Sequence, residues 1–315
     1  MRELLLMRHG KAYAAKAGGD LARPLKDRGK RAAQRVGVWL DGAGIVPDHV
    51  LASSAERASA TAEKCGKAMG LDARLVTVDD RLHAADVEQA LAVLHELPRE
   101  ARRVLLVGHN PWLPELVAHL CGTAPQRFPT AALAHLHWSD DQLFLRPSSA
   151  RMQAFVRPAE LPDDFPFPSP HGSERRERPA YYYTQSAVVP YRIADGQVQV
   201  LIVRSSQQKH WVVPKGIADP GHSLQESAAK EAMEEAGVEG EVEDAPLGTY
   251  SYVKWGADCT VTVYAMHVTR VLDTEEWEER HRGRDWVSAR VASMLVKQAA
   301  VGRIIADLEQ RFADT

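Results

Sequence analysis

Leu4-Leu5-Leu6-Met7-Arg8-His9-Gly10 is a run of four apolar residues that ends on a cationic pair and a glycine. A run of this length with no polar alternation predicts a central parallel strand, covered on both faces, that empties into a site. Gly10 permits a sharp exit. In open α/β sheets ligands collect beyond the carboxyl ends of strands, which makes Arg8 and His9 candidate site residues. Two further segments repeat the arrangement. Val104-Leu105-Leu106-Val107 runs into Gly108-His109-Asn110-Pro111, and Val50-Leu51-Ala52 runs into Ser53-Ser54-Ala55-Glu56-Arg57. Strand ends therefore deliver two histidines and two arginines to one place, with Arg57 entering the next helix. That is a pocket for a small dianion, because the guanidinium fork matches phosphate oxygens and helix N-termini add oriented amides.

The set Met7-Arg8-His9-Gly10, Arg23-Pro24-Leu25, Arg28-Gly29, Ser53 to Arg57 with Thr61-Ala62, and Gly108-His109-Asn110-Pro111 resembles the histidine phosphatase superfamily, most of all its small SixA-type phosphohistidine phosphatases. The resemblance covers about residues 1–157 and implies a doubly wound α/β fold. It implies that His9 attacks phosphorus and is transiently phosphorylated, that Arg8, Arg57 and His109 hold the phosphoryl oxygens with Asn110 beside them, and that no metal is needed. The general acid is not evident. His83, Asp86 and Glu88 are the nearest candidates. An ester leaving group needs protonation strongly and a labile P–N bond much less, which favours a phosphohistidine-type substrate.

Length and composition fit this reading. At 315 residues the chain is expected to form two domains, 1–157 and 180–315. The stretch Pro158 to Pro179, dense in proline and locally charged, reads as an irregular extended linker between them. A formal net charge of -3 argues against a nucleic-acid polymer as partner. Cys65, Cys121 and Cys259 are too scattered for a disulfide framework or a zinc ribbon, which suits the cytoplasm. There is no apolar run of membrane-spanning length, and none is expected to anchor the chain. His135 and His137 flank Leu136 and read as exposed strand residues rather than ligands.

The second domain is expected to open with a hairpin turning at Asp195-Gly196. Beyond Pro214-Lys215-Gly216, Ser223 and Glu226 form a capping-box pattern and Gly237 a C-terminal stop, predicting a helix from about Leu224 to Ala236. Glu231, Glu234 and Glu235 then share one face, and like charges so close repel unless a cation joins them.

Strand, glycine-bearing loop and glutamate helix together resemble the Nudix box, which implies an α+β fold with a mixed sheet between helices and a bound Mg²⁺ or Mn²⁺. Carried over, the resemblance implies that Glu234 and Glu235 are metal ligands, Glu231 a metal ligand or a base-orienting carboxylate, and the Gly216 carbonyl a further candidate ligand. His222 stands where the family has a glutamate, and Lys230 where it has an arginine; lysine lacks the bidentate fork. Gly248-Thr249-Tyr250-Ser251-Tyr252-Val253-Lys254 and Arg282-Gly283-Arg284-Asp285-Trp286-Val287 are similar to diphosphoinositol and diadenosine polyphosphate hydrolases. Arg204, Lys209 and Lys215 are candidate cations for such phosphate chains. The expected protein is a cytoplasmic bifunctional phosphohydrolase acting on small phosphorylated metabolites and on a phosphohistidine-bearing protein. The alternatives are a hydrolase of oxidised nucleoside triphosphates, and a regulator whose second domain only senses a polyphosphorylated ligand.

Overall fold

The computed structural model describes residues 3–15, 19–139, 145–169 and 172–313. It divides into two compact units, Met1–Pro179 and Ala180–Thr315. Among the described residues no helix is long and apolar enough to cross a membrane.

The first unit alternates β1 (Glu3–Arg8), α1 (Asp27–Gly42), β2 (His49–Ser53), α2 (Glu56–Ala68), β3 (Val76–Asp79), α3 (Val87–His95), β4 (Arg103–Gly108) and α4 (Trp112–Cys121), then adds β5 (Leu133–His137) and β6 (Arg151–Val156). The sheet order is β3-β2-β4-β1-β5-β6. Strands β1 to β4 pair in parallel, whereas β5 and β6 join antiparallel, a common finish to a doubly wound sheet. The unbroken apolar run of β1 has its reason here. Leu4 and Leu6 pack in one core with Leu113, Leu116 and Val117 of α4; Leu5 and Met7 pack in the other with Ala33, Val36 and Leu40 of α1. Truncating any of these leucines to alanine costs about 2–5 kcal/mol.

Two expectations are corrected in this unit. His135 is buried, 8% exposed, with Nε2 3.3 Å from Glu3 on the neighbouring strand. Residues 158–179 are not irregular, because β7 (Phe165–Ser169) and β8 (Gly172–Arg176) form an antiparallel hairpin. Pro166 and Pro168 have the same parity, and a two-stranded ladder leaves alternate positions of each strand without a hydrogen-bonding demand on the backbone nitrogen. Phe165 is fully buried, and Arg31 donates to the Asp163 carbonyl at 2.7 Å.

The second unit contains β9 (Thr184–Ala194), β10 (Gln197–Arg204), β11 (Trp211–Val212), β12 (Lys215–Ile217), α5 (Leu224–Glu231), β13 (Val238–Lys254), β14 (Ala257–Val271), β15 (Arg284–Ser288), α6 (Ala289–Leu295) and α7 (Ala299–Ala313). Its sheet runs β11-β10-β9-β14-β13, with β12 on β9 and β15 on β10. The pairing of β9 with β14 is parallel and the others are antiparallel, so the sheet is mixed. Ala228 of α5, with Ala232 and Ala236 beyond it, packs on Val188, Leu201 and Met266; Ile305 and Leu308 of α7 pack on Val189, Ile202 and Val263. Helices thus cover both faces. The β9–β10 turn has Asp195 at φ 51° and Gly196 at φ 73°, the left-handed pair a two-residue hairpin requires.

Candidate active sites

In the first unit the ends of β1 and β4 are tied together, since the His9 amide donates to the Gly108 carbonyl at 2.9 Å. Glycine is required at Gly10 because a Cβ there would stand 2.8 Å from the Gly29 carbonyl oxygen, where the start of α1 docks. The Gly10 amide donates to Thr61 Oγ1 at 2.8 Å, and Thr61 donates to the Arg57 carbonyl at 2.6 Å. A strand end and the first turn of α2 are thereby locked, which fixes His9 and Arg57 relative to each other.

His9 Nδ1 lies 2.8 Å from the Gly10 carbonyl. A carbonyl only accepts, so Nδ1 carries the hydrogen and Nε2 of the neutral ring holds the free lone pair. Burial, with the charges of Arg57, Arg8 and Arg23 adding to it, lowers His9 to about 4. The His109 ring is 5.0 Å from that of His9 and is lowered to about 3, again by burial first and then by His9 and Arg57. Its Nε2 is 2.8 Å from Ser53 Oγ and its Nδ1 3.5 Å from Arg57 Nη2. Both rings are therefore neutral near pH 7, and His109 is a cation only once an anion enters to offset the arginines.

Arg8 and Asn110 converge on the Phe128 carbonyl, at 2.9 and 3.2 Å. Arg8 Nε, Arg57 Nε and Asn110 Oδ1 are buried without a hydrogen-bond partner. Buried polar atoms are seldom left so, and these are available to a ligand. Arg57 donates to the Asp20 carbonyl at 2.6 Å and to its Oδ2 at 2.7 Å, and Arg23 donates to Oδ1 at 2.8 Å. Those arginine bonds hold Asp20 at about 2. Asp20 was missed in the sequence; the available signal was an acid three residues before Arg23. Of the acid candidates, His83 alone joins the site, 5.5 Å from His109. Asp86 caps α3 by accepting from the Gln89 amide at 2.8 Å, and Glu88 is exposed.

In the second unit the capping box forms as expected at Ser223 and Glu226. The helix does not continue as one α-helix to Ala236. It passes at Ala232–Ala236 into a π turn, a geometry frequent at functional sites. Gly237 follows at φ 61°, where a Cβ would stand 2.6 Å from Trp277, and Arg284 donates to the Ala236 and Gly237 carbonyls at 2.9 and 2.6 Å.

The three glutamates have different partners. Glu231 lies against Gly216, where a Cβ would stand 1.7 Å from Glu231 Oε1. Burial, then the charges of Glu235 and Glu234, raises Glu231 to about 8. Glu235 is also raised, by burial, although it accepts from Arg282 Nη2 at 2.6 Å and from the Lys215 amide at 3.1 Å. Glu234 turns instead towards Lys230, at 3.8 Å, while Lys230 binds Asp219 at 2.8 Å. Among the described residues no group of three metal-ligating side chains gathers. Two carboxylates over a backbone cradle that only glycine leaves open nevertheless fit a hard divalent ion, which takes oxygen ligands and keeps places for phosphate.

Beside them a cleft of about 190 Å³ is lined by Ser205, Ser206, Lys215, Glu235, Tyr250 and Arg282 among others. Lys215 Nζ donates to Gln185 at 2.6 Å and to the Tyr252 hydroxyl at 3.0 Å. Arg204 stacks on Trp211 at 3.9 Å, and Lys209 is exposed outside the cleft lining. Arg282 was quoted within a motif but given no role in the sequence; only the fold brings it to Glu235.

Residues 4–89 match the family model of the histidine phosphatase superfamily, branch 1, and residues 183–308 that of the NUDIX domain. Nudix hydrolase 12, mitochondrial, of Arabidopsis thaliana is 29% identical over 148 residues, a match spanning 40% of this chain and 72% of that protein. Nudix hydrolase 17, mitochondrial, of the same plant is 35% identical over 114 residues, spanning 33% of this chain and 61% of that protein. Among solved structures, the protein histidine phosphatase SixA complexed with tungstate is 29% identical, covering 50% of this chain and 97% of that one with a TM-score of 0.44.

Proposed function

The chain joins a histidine phosphatase superfamily domain to a NUDIX domain, and from that premise we propose a bifunctional enzyme: a metal-independent phosphatase acting on phosphohistidine-type substrates, and a Mg²⁺- or Mn²⁺-dependent hydrolase of phosphoanhydrides. Both domains belong to hydrolase families. The observation that carries the first activity is the orientation of His9. With Nδ1 bound to the Gly10 carbonyl, Nε2 is the free nucleophile, beside two arginines with unpartnered nitrogens. His9 Nε2 takes the phosphoryl group, Arg8 and Arg57 hold its oxygens, and water then releases phosphate and restores the ring. Entry of the phosphoryl group requires Asp20 to yield its place on Arg57.

In the second site Glu231 and Glu235, with the Gly216 carbonyl, would hold the divalent ion. Such an ion neutralises phosphate oxygens and lowers the pKa of water. Lys215 and Arg282 line the cleft and bind the phosphate chain, and Tyr250 offers a face to a base or a ring. The preferred class is therefore a small polyphosphorylated metabolite such as a dinucleoside polyphosphate or an inositol pyrophosphate. A sensor reading of this half has one observation in its favour: Glu235 already has Arg282 as a counter-ion. Free, scattered cysteines favour the cytoplasm as the setting.

Phosphorus NMR of the intact chain, with phosphohistidine, dinucleoside polyphosphate and inositol pyrophosphate, tests both halves. Phosphohistidine is expected to be cleaved in chelator, and an anhydride only with Mg²⁺. Failure of every substrate in chelator removes the first assignment. Anhydride binding without turnover in Mg²⁺ turns the second into the sensor.

A further inference from the structure

A phosphatase working on esters must protonate the departing oxygen, and the sequence left that group unassigned. The described part of the first site has His9 and His109, whose positions the nucleophile and the oxyanion seat require, and one further histidine. His83 follows β3 and its short helical turn, and its ring meets His109 edge-on at 5.5 Å. Its Nε2 is 3.6 Å from Asp20 Oδ2, the atom that Arg57 holds at 2.7 Å. Its Nδ1 is buried with no hydrogen-bond partner. The ring is thus part of the phosphoryl seat without being tied to the backbone, unlike His9.

We propose that His83 is the general acid of the first site, and that it extends the substrates of that site from phosphoramidates to phosphate monoesters. This rests on the reading of His9 as nucleophile. When a phosphoryl group takes Arg57 from Asp20, the Nε2 edge of His83 faces the place that Asp20 Oδ2 has left. As the His9 Nε2–P bond forms and the P–O bond breaks, protonated His83 gives its Nε2 proton to the leaving oxygen, which departs as the alcohol. Neutral His83 then takes a proton from the water whose oxygen attacks phosphorus. The N–P bond breaks, inorganic phosphate leaves, and His83 is again protonated.

Leaving-group dependence separates an acid from a residue that only packs against His109. The intact chain and its His83→Gln and His83→Asn variants are compared in chelator on 4-nitrophenyl, phenyl and alkyl phosphates. Compared by kcat/KM, which reports the first phosphoryl transfer and not the later attack of water, the variants are expected to lose least on 4-nitrophenyl phosphate, whose leaving group needs no proton, and measurable turnover there reports that the site is folded. On alkyl phosphate they lose about 10² to 10³-fold, the range of general acid catalysis, so the slope of log rate on leaving-group pKa steepens. An equal loss across the series, or no loss, overturns the proposal, and so does an unmodified chain that cleaves 4-nitrophenyl but not phenyl phosphate. If 4-nitrophenyl phosphate is itself untouched, or is cleaved equally well by a His9→Ala variant, it is the nucleophile assignment that fails.

Discussion

The two candidate sites are electrostatic inverses. In the first, burial and the charges of Arg8, Arg23 and Arg57 keep bases deprotonated, with His9 at about 4 and His109 at about 3. In the second, burial opposes the charge of the acids: it raises Glu231 to about 8, with the charges of Glu235 and Glu234 adding to it, and raises Glu234 and Glu235 as well. Desolvation is the largest cause in each, and it opposes whichever charge the residue would carry. The difference lies in the surplus charge left behind: cationic in one site, ready for a dianion, and anionic in the other, short of a cation. In the proposed reading, the metal requirement of the second site follows from that sign rather than from the shared phosphate chemistry.

Cross-inactivation breaks or sharpens the contrast most strongly. His9→Ala is expected to lower the chelator-resistant phosphatase rate by about 10⁴-fold or more, as loss of a nucleophile does, and to leave the Mg²⁺-dependent rate unchanged. Glu231→Gln is expected to do the reverse, costing the Mg²⁺-dependent rate ~10²-fold or more. Parallel loss of both rates in either variant would mean that the charge patterns do not define separate chemistries.

A smaller effect is expected in stability against pH, and its sign differs between the units. His9 and His109 have folded values below 6.5, so the unfolded chain binds more protons between 6.5 and about 4. Their share of the first unit's stability is complete above pH 6.5 and is lost as pH falls through that window. Glu231 has a folded value above 4.5, so its share is complete below pH 4.5 and is lost as pH rises towards about 8. Amide hydrogen exchange of the intact chain, taken from pH 7 to pH 5 and corrected for intrinsic rates, is expected to lose protection around β1 and β4 and to gain it around α5. Movement of both regions in one direction would contradict the opposed charge balance.

The strand ends of the first unit were legible because a buried parallel strand has no alternation to hide, and because Arg8, His9, Arg57 and His109 all follow such runs. The capping box and Gly237 were legible because caps are local. Asp20 and Arg282 were not, and His83 was legible only as one of three candidate acids. Asp20 and Arg282 lie outside the regular strands and α-helices and act on residues distant in sequence, Asp20 on Arg57 and Arg282 on Glu235, so no periodicity points to them. The π turn was invisible for a different reason. The spacing of Glu231, Glu234 and Glu235 predicts one face only if the α-helix continues. Trp277, whose Nε1 donates to the Glu234 carbonyl at 3.1 Å, packs where the winding changes.

The least effect is expected at Lys230, one of the two departures from the family pattern. Lys230 replaces the arginine whose fork would orient the carboxylates, yet its ammonium already binds Asp219 at 2.8 Å and lies 3.8 Å from Glu234. Neither partner is Glu231 or Glu235, the pair that faces Gly216 and Arg282. The Lys230 side chain is 39% exposed, and an ion pair so placed contributes at most about 1 kcal/mol, since water screens it and the side chain loses freedom on pairing. Lys230→Arg is therefore expected to raise the Mg²⁺-dependent rate by less than about fivefold, the equivalent of that energy, and to leave the phosphatase rate alone. Steady-state kinetics across a Mg²⁺ titration reads both. A gain well beyond tenfold would place Lys230 in control of the carboxylates and would make the lysine, rather than the Arg282 pairing with Glu235, the feature that holds the second site in its resting state.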